Sequence, residues 1–148
     1  MKSLFFFALI GLLLQVDYLS AQTVNQSSLK PRVGITILSD GQPINQKSGI
    51  KRNTKEISFK ALLDTKADSS FQDFQSELSI KNIQVILARN GRSIAQIDVA
   101  NGHLPTDLTQ QAQSMDHLIL KFTLVAQRKN GELIPLSEQR TYNFPIRE

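Results

Sequence analysis

Apolar residues recur along most of this chain at every second position. Between Leu118 and Gln127, Leu118, Leu120, Phe122, Leu124 and Ala126 alternate with Ile119, Lys121, Thr123, Val125 and Gln127. Side chains of a strand point alternately to its two faces, so this period predicts a half-buried strand. Glu56 to Leu63 repeats it, with Ile57, Phe59, Ala61 and Leu63 on one face. Arg92 to Ala100 does so again, Ile94, Gln96 and Asp98 alternating with Ala95, Ile97 and Val99. Val33 to Leu38 is a shorter β-rich run. Glu132 to Leu136 and Arg140 to Ile146 add two more, with Tyr142, Phe144 and Ile146 on the inner face. Pro135 and Pro145 lack an amide donor, so these last segments are edge-like or broken there.

Residues 76 to 89 form a long strand whose pattern changes sides. Leu78 and Ile80 share one parity, while Ile83, Val85 and Leu87 share the other. A strand keeps one face inward across such a change only by inserting an extra residue, which predicts a bulge or bend near Lys81 and Asn82. Asn90-Gly91 follows directly, between two alternating runs, and predicts a type I′ hairpin turn because both residues tolerate positive φ. Asn130-Gly131 predicts a second hairpin, Asp40-Gly41 another turn, and Asn101-Gly102 the end of the strand before it. Pro43 and Gly49 continue the punctuation after Asp40-Gly41.

One helix is expected, beginning at Pro105 with Thr106 or Asp107 as N-cap and running to Met115, with Leu108, Ala112 and Met115 on one side. Residues 64 to 75 read as a polar loop held down by Phe71 and Phe74, whose spacing also fits a single helical turn. Six to eight short strands and one helix predict a mainly β fold, a single antiparallel β-sandwich (Ig-like) domain over residues 33–148. Parallel α/β architecture would need helices between successive strands.

The N-terminus changes the picture from fold to destination. A basic start, Met1-Lys2-Ser3, precedes the unbroken apolar run Leu4 to Leu14, then Gln15, Asp17 and Tyr18, then Leu19-Ser20-Ala21. This is the pattern of a signal peptide, residues 1–21, cleaved after Ala21. A membrane span needs about 20 apolar residues, more than this run supplies before Asp17 interrupts it. The reading is therefore export to the periplasm, or to the medium or cell surface, with no integral membrane span in the mature form. Residues 22–32 read as a flexible polar leader. The chain has no cysteine, which excludes disulfides, thiolate metal sites and a lipidated cysteine.

The net charge is +4, and loss of Lys2 and Asp17 with the signal peptide leaves it unchanged. The densest basic stretch, Lys47 to Lys60, is a candidate surface for an acidic partner or membrane headgroups, set against an ordinary solvated face. No basic motif interleaved with aromatics points to nucleic acid.

Candidate chemistry is sparse. The histidines, His103 and His117, stand alone, without triad or zinc spacing. Asp64, Asp68 and Asp73 share one loop, but Lys66 lies among them and no calcium-loop pattern appears. Glu56, Glu77, Asp98, Asp116, Glu132 and Glu138 are carboxylates that could pair across a cleft, and the sequence does not pair them. The seven glycines are scattered, without a phosphate-cradling loop. Asn25-Gln26-Ser27 matches a glycosylation sequon, relevant only in a eukaryotic secretory pathway. No catalytic, cofactor-binding or metal-ligating residue is assigned.

From Leu78 onward the order of motifs is distinctive: Val85, Leu87-Ala88-Arg89 and Gly91, then Asn101-Gly102 and Leu104, then Asp116 leading a strand, Asn130-Gly131, and Phe144 with Ile146. This stretch, about residues 78–147, resembles the C-terminal domain of the GldM/PorM family of gliding-motility and type IX secretion proteins of Bacteroidetes. Members of that family carry an N-terminal membrane helix and several periplasmic domains in series. Here a cleavable signal stands in the anchor's place. The resemblance implies a stand-alone β-sandwich that serves as a protein-interaction surface, with a secretion or envelope component as partner and homo-oligomers possible. The sequence therefore favours a non-catalytic interaction module. A ligand-binding or enzymatic domain with an unrecognised site, and a structural surface protein, are the other readings.

Overall fold

A computed structural model describes residues 31–100 and 104–148. The signal peptide, its cleavage site, most of the leader, the sequon, Asn101-Gly102 and His103 lie outside the described residues.

The strands are β1 (Val33–Ser39), β2 (Gln42–Ile44), β3 (Ile50–Lys51), β4 (Ile57–Leu63), β5 (Glu77–Arg89), β6 (Arg92–Val99), β7 (His117–Gln127), β8 (Leu133–Pro135) and β9 (Arg140–Arg147), with one helix, α1 (Thr106–Gln111). The expected class, mainly β with a short helix, is the one observed. All nine strands belong to one sheet, in the order β2-β1-β4-β5-β7-β9-β3, with β6 beside β5 and β8 beside β7. Every pairing is antiparallel except β3 with β9.

The sheet curls because its two ends are tied together. β2 and β3 terminate the path, yet only residues 45–49 separate them. Within that link the Gln46 side-chain oxygen accepts the Asn143 amide of β9 at 3.0 Å, and the Lys47 carbonyl accepts the Arg147 guanidinium at 2.8 Å. The Arg52 amide then bonds the Arg147 carbonyl at 2.7 Å. A nearly barrel-shaped sheet results, with its inward residues meeting in the middle.

That interior is what the period of two specified. Leu118, Leu120, Phe122, Leu124 and Ala126 are all fully buried. Phe122 meets Phe59 of β4 edge-on at 5.2 Å and Tyr142 of β9 at 5.8 Å, so one ring joins opposite walls. On β5, Leu78, Ile83, Val85 and Leu87 are buried together. They reach one face because the register with β7 slips between Ile80 and Asn82, leaving Lys81 as the extra residue. Beyond that bulge β5 exchanges its outer neighbour: β4 pairs with residues 77–78 and β6 with residues 83–89.

Asn90 and Gly91 both have positive φ and link β5 to β6 as a type I′ turn. Asp40-Gly41 does the same between β1 and β2, completing a hairpin whose second strand the sequence did not mark. At Asn130-Gly131 the hairpin is present with a different turn. The Gly131 amide bonds the Arg128 carbonyl, and only Gly131 has positive φ, which is a type I turn followed by a glycine bulge.

The helix departs from expectation. Pro105 occupies the N-cap without a side-chain cap, so neither Thr106 nor Asp107 has that role, and the helix stops at Gln111. Leu108 and Ala112 are buried as expected, but Met115 is 83 % exposed. The chain leaves the helix at Ala112 to make the turn that places Asp116, and Met115 projects from it with φ +74°. The loop before β5 contains a 3₁₀ turn, Ser69–Phe71, and Phe71 and Phe74 are buried against each other at 5.7 Å.

Candidate functional site

Two strand ends build the strongest polar arrangement among the described residues. β5 ends at Arg89 just before its hairpin turn, and β7 begins beside Asp116. Both residues have inward parity, so the guanidinium and carboxylate meet over the end of the apolar interior. Arg89 donates through Nε to Asp116 Oδ1 at 2.9 Å and through Nη2 to Oδ2 at 2.8 Å. Oδ2 also accepts the Gln113 amide at 2.8 Å. The Asp116 carbonyl accepts the Ile146 amide at 2.7 Å, and the Ile146 carbonyl accepts the Met115 amide at 3.1 Å.

The Asp116 side chain is only 3 % exposed, against 33 % for Arg89. The guanidinium bonds hold the Asp116 carboxyl below the ordinary carboxylate range, helped by the Gln113 amide and opposed by burial. The same bond raises Arg89 further above its already high value. Both carboxylate oxygens are therefore engaged by protein donors. The pair acts as a clasp joining β5, β7 and β9.

The other carboxylates named from sequence do not converge. Glu132 pairs with Arg128, and Glu138 with Arg140, each at 3.1 Å. Asp98 accepts the Asn82 side-chain amide at 3.3 Å. Asp64 accepts the Lys66 and Ala67 amides, and Asp68 the Ser70 amide, which lowers the Asp68 carboxyl. Those acidic side chains shape their own loop. Among the described residues no cluster of three or more His, Asp or Glu could hold a metal ion. His117 Nδ1 lies 2.8 Å from the Asn143 side-chain oxygen on the exposed face.

Two further surfaces stand out among the described residues. One is an open groove of about 760 Å³ between the start of β1, the end of β4 and the β8–β9 turn, with Leu62, Asp64, Glu138 and Arg140 on its walls. Arg140 is occupied there by Glu138 and the Pro31 carbonyl. The other is β6, an eight-residue strand that, among the described residues, pairs only with β5. Its register slips between Leu87 and Ala88, so Ile94 bulges out and is 48 % exposed. Ala95, Ile97 and Val99 stand half-buried at the rim of the interior.

Sequence reasoning named both Arg89 and Asp116 without pairing them. An arginine ending one inward-facing strand and an aspartate leading another was the signal available. No protein-family model, curated protein or solved structure matches the chain.

Proposed function

We propose that this chain is an exported, non-catalytic protein-interaction module that captures an extended segment of a partner along β6. The observation carrying this reading is the edge of that strand left unpaired among the described residues, with its bulged and exposed Ile94. An open edge presents unpaired backbone donors and acceptors, and strand addition satisfies them while neighbouring pockets select side chains. The half-buried Ala95, Ile97 and Val99 give an added strand apolar surface to cover. The Arg89–Asp116 pair, by contrast, is committed to holding strands together.

In the finer form of the proposal, the walls carrying β1-β4 and β6-β5-β7-β9 serve as facing layers of an Ig-like sandwich. The partner is a secretion or envelope component, as the resemblance to the GldM/PorM C-terminal domain implies. A photo-crosslinking residue at Gln96 tests this in living cells, with adducts identified by mass spectrometry. Specific adducts from β6 that vanish in Ile94→Lys, with folding unchanged, support the proposal. Adducts only to a second copy of this chain would replace the partner with a homo-oligomer. No specific adduct from β6 would remove the proposal's main support. The groove beside Arg140 favours a second reading, small-ligand binding, which a thermal-shift screen of anionic and zwitterionic metabolites tests directly.

A further inference from the structure

The Lys47–Lys60 stretch acquires a new member when the chain folds. β3 docks in parallel on β9 with Ile50 beside Ile146 and Lys51 beside Arg147. Both isoleucines are buried, so Lys51 and Arg147 point together to the outer face. Lys47 lies within reach of the same guanidinium, which donates to its carbonyl, and Arg52 is fixed by its amide on the Arg147 carbonyl. Lys55 is set by the Asp40 carboxylate, which accepts its backbone amide at 3.0 Å. All five cationic residues are exposed. Among the described residues none of them forms an ion pair, although Glu56 and Glu148 are close in sequence.

The frame under these charges is well made. The Asn45 side chain accepts the Lys47 and Ser48 amides, and Thr54 is buried with its hydroxyl 3.0 Å from that of Ser39. Backbone groups thus do most of the holding: the Arg147 guanidinium bonds the Lys47 carbonyl but faces no carboxylate, and among the described residues none of the five cations is neutralised by an ion pair. Collecting like charges on a fixed frame costs self-repulsion that a polyanionic surface relieves. Met115 adds the second feature. Its amide is bonded to the Ile146 carbonyl, one residue from Arg147, and its side chain projects into solvent with 83 % exposure.

We propose that this corner of the molecule docks on an anionic lipid surface, Lys47, Lys51, Arg52, Lys55 and Arg147 meeting the headgroups and Met115 entering the acyl boundary. A bilayer interface rewards both features, since binding there scales with cationic charge and with inserted apolar area. An acidic protein segment would use the cations and leave Met115 without a role. The proposal is independent of the β6 edge.

The test is co-sedimentation of the chain from Gln22 onward, which contains every described element, with phosphatidylglycerol-containing vesicles and with vesicles of phosphatidylcholine alone. Binding is expected to the first and not the second, and to disappear near about 1 M salt, where charges are screened within ~3 Å. Lys51→Gln with Arg52→Gln is expected to lower the partition coefficient about twenty-five-fold, from roughly five-fold per cation. Met115→Ser is expected to lower it roughly ten-fold. Lys81→Gln with Lys129→Gln makes the same charge change at the other end of β7 and should leave binding within two-fold, a ratio of ~2 reflecting only long-range attraction. Unchanged thermal midpoints show that each variant folds. Equal loss in that control pair, or capture of polyglutamate without capture of vesicles, overturns the proposal.

Discussion

At the scale of single residues, the Arg89–Asp116 clasp has the largest calculable consequence. Asp116 accepts two guanidinium bonds and one amide bond in a nearly buried position. Asp116→Asn keeps the shape but replaces an acceptor oxygen with a donor, opposing Arg89 or the Gln113 amide. We expect a loss of about 2 kcal/mol, the scale of a hydrogen bond to a charged group, measured by urea unfolding at neutral pH. The pH dependence follows from the same contacts. The folded carboxyl is held below its ordinary value of 3.8, so its stabilisation is complete above that pH and is lost as pH falls through the lower folded value. Wild type should therefore lose stability on acidification below about pH 4 more steeply than Asp116→Asn, whose amide does not titrate. Parallel curves in that range would show that the clasp contributes nothing through its charge.

At the scale of elements, legibility followed from whether the deciding contacts were local. β7 was readable because a strand at the centre of the sheet buries one whole face, and its alternation is unbroken. The bulge at Lys81 was readable because Leu78 and Ile83 lie an odd number of positions apart and both must face inward. The Asn90-Gly91 turn was readable because its chemistry resides in those two residues. β2 and β3 were not readable. They are three and two residues long, one contains Pro43, and β3 exists only because β9 is present to pair with it. The helix was read too long because Met115 completes an apolar spacing, whereas Gln113 to Asp116 must turn to deliver Asp116 to Arg89. The candidate surfaces divide the same way: the β6 alternation was visible, but its edge, unpaired among the described residues, is a property of the whole sheet's order. The weight carried by β7 gives a direct expectation. Phe122 is fully buried between Phe59 and Tyr142, so Phe122→Ala should cost about 3–5 kcal/mol in a denaturant titration, a large share of an ordinary margin of about 5–15 kcal/mol.

At the scale of the whole molecule, closure of the sheet depends on a small strap. β5 and β7 are joined along most of their length, whereas β3 holds to β9 through two residue pairs. Gly49 makes that docking possible: its φ is +72°, and a Cβ there would collide with the Pro145 carbonyl oxygen. Gly49→Ala therefore combines a left-handed backbone with a backbone clash, at roughly 2–3 kcal/mol. The strap is peripheral, so it can release that strain by opening alone while the interior around Phe122 stays packed. Amide hydrogen exchange separates the two cases. In Gly49→Ala the Arg52 amide, bonded to Arg147, and the Asn143 amide, bonded to Gln46, should exchange at least ten-fold faster, a ratio of ~10 for each 1.4 kcal/mol of opening energy lost. The amides of β7 from Leu118 to Leu124 should slow or quicken only with global stability. Equal acceleration in both sets would mean that the curled sheet unfolds as one unit and that its ends cannot separate without the centre. Selective acceleration would mean that the nearly closed barrel opens at β3 first, taking with it the Lys51–Arg147 pairing and hence the basic corner.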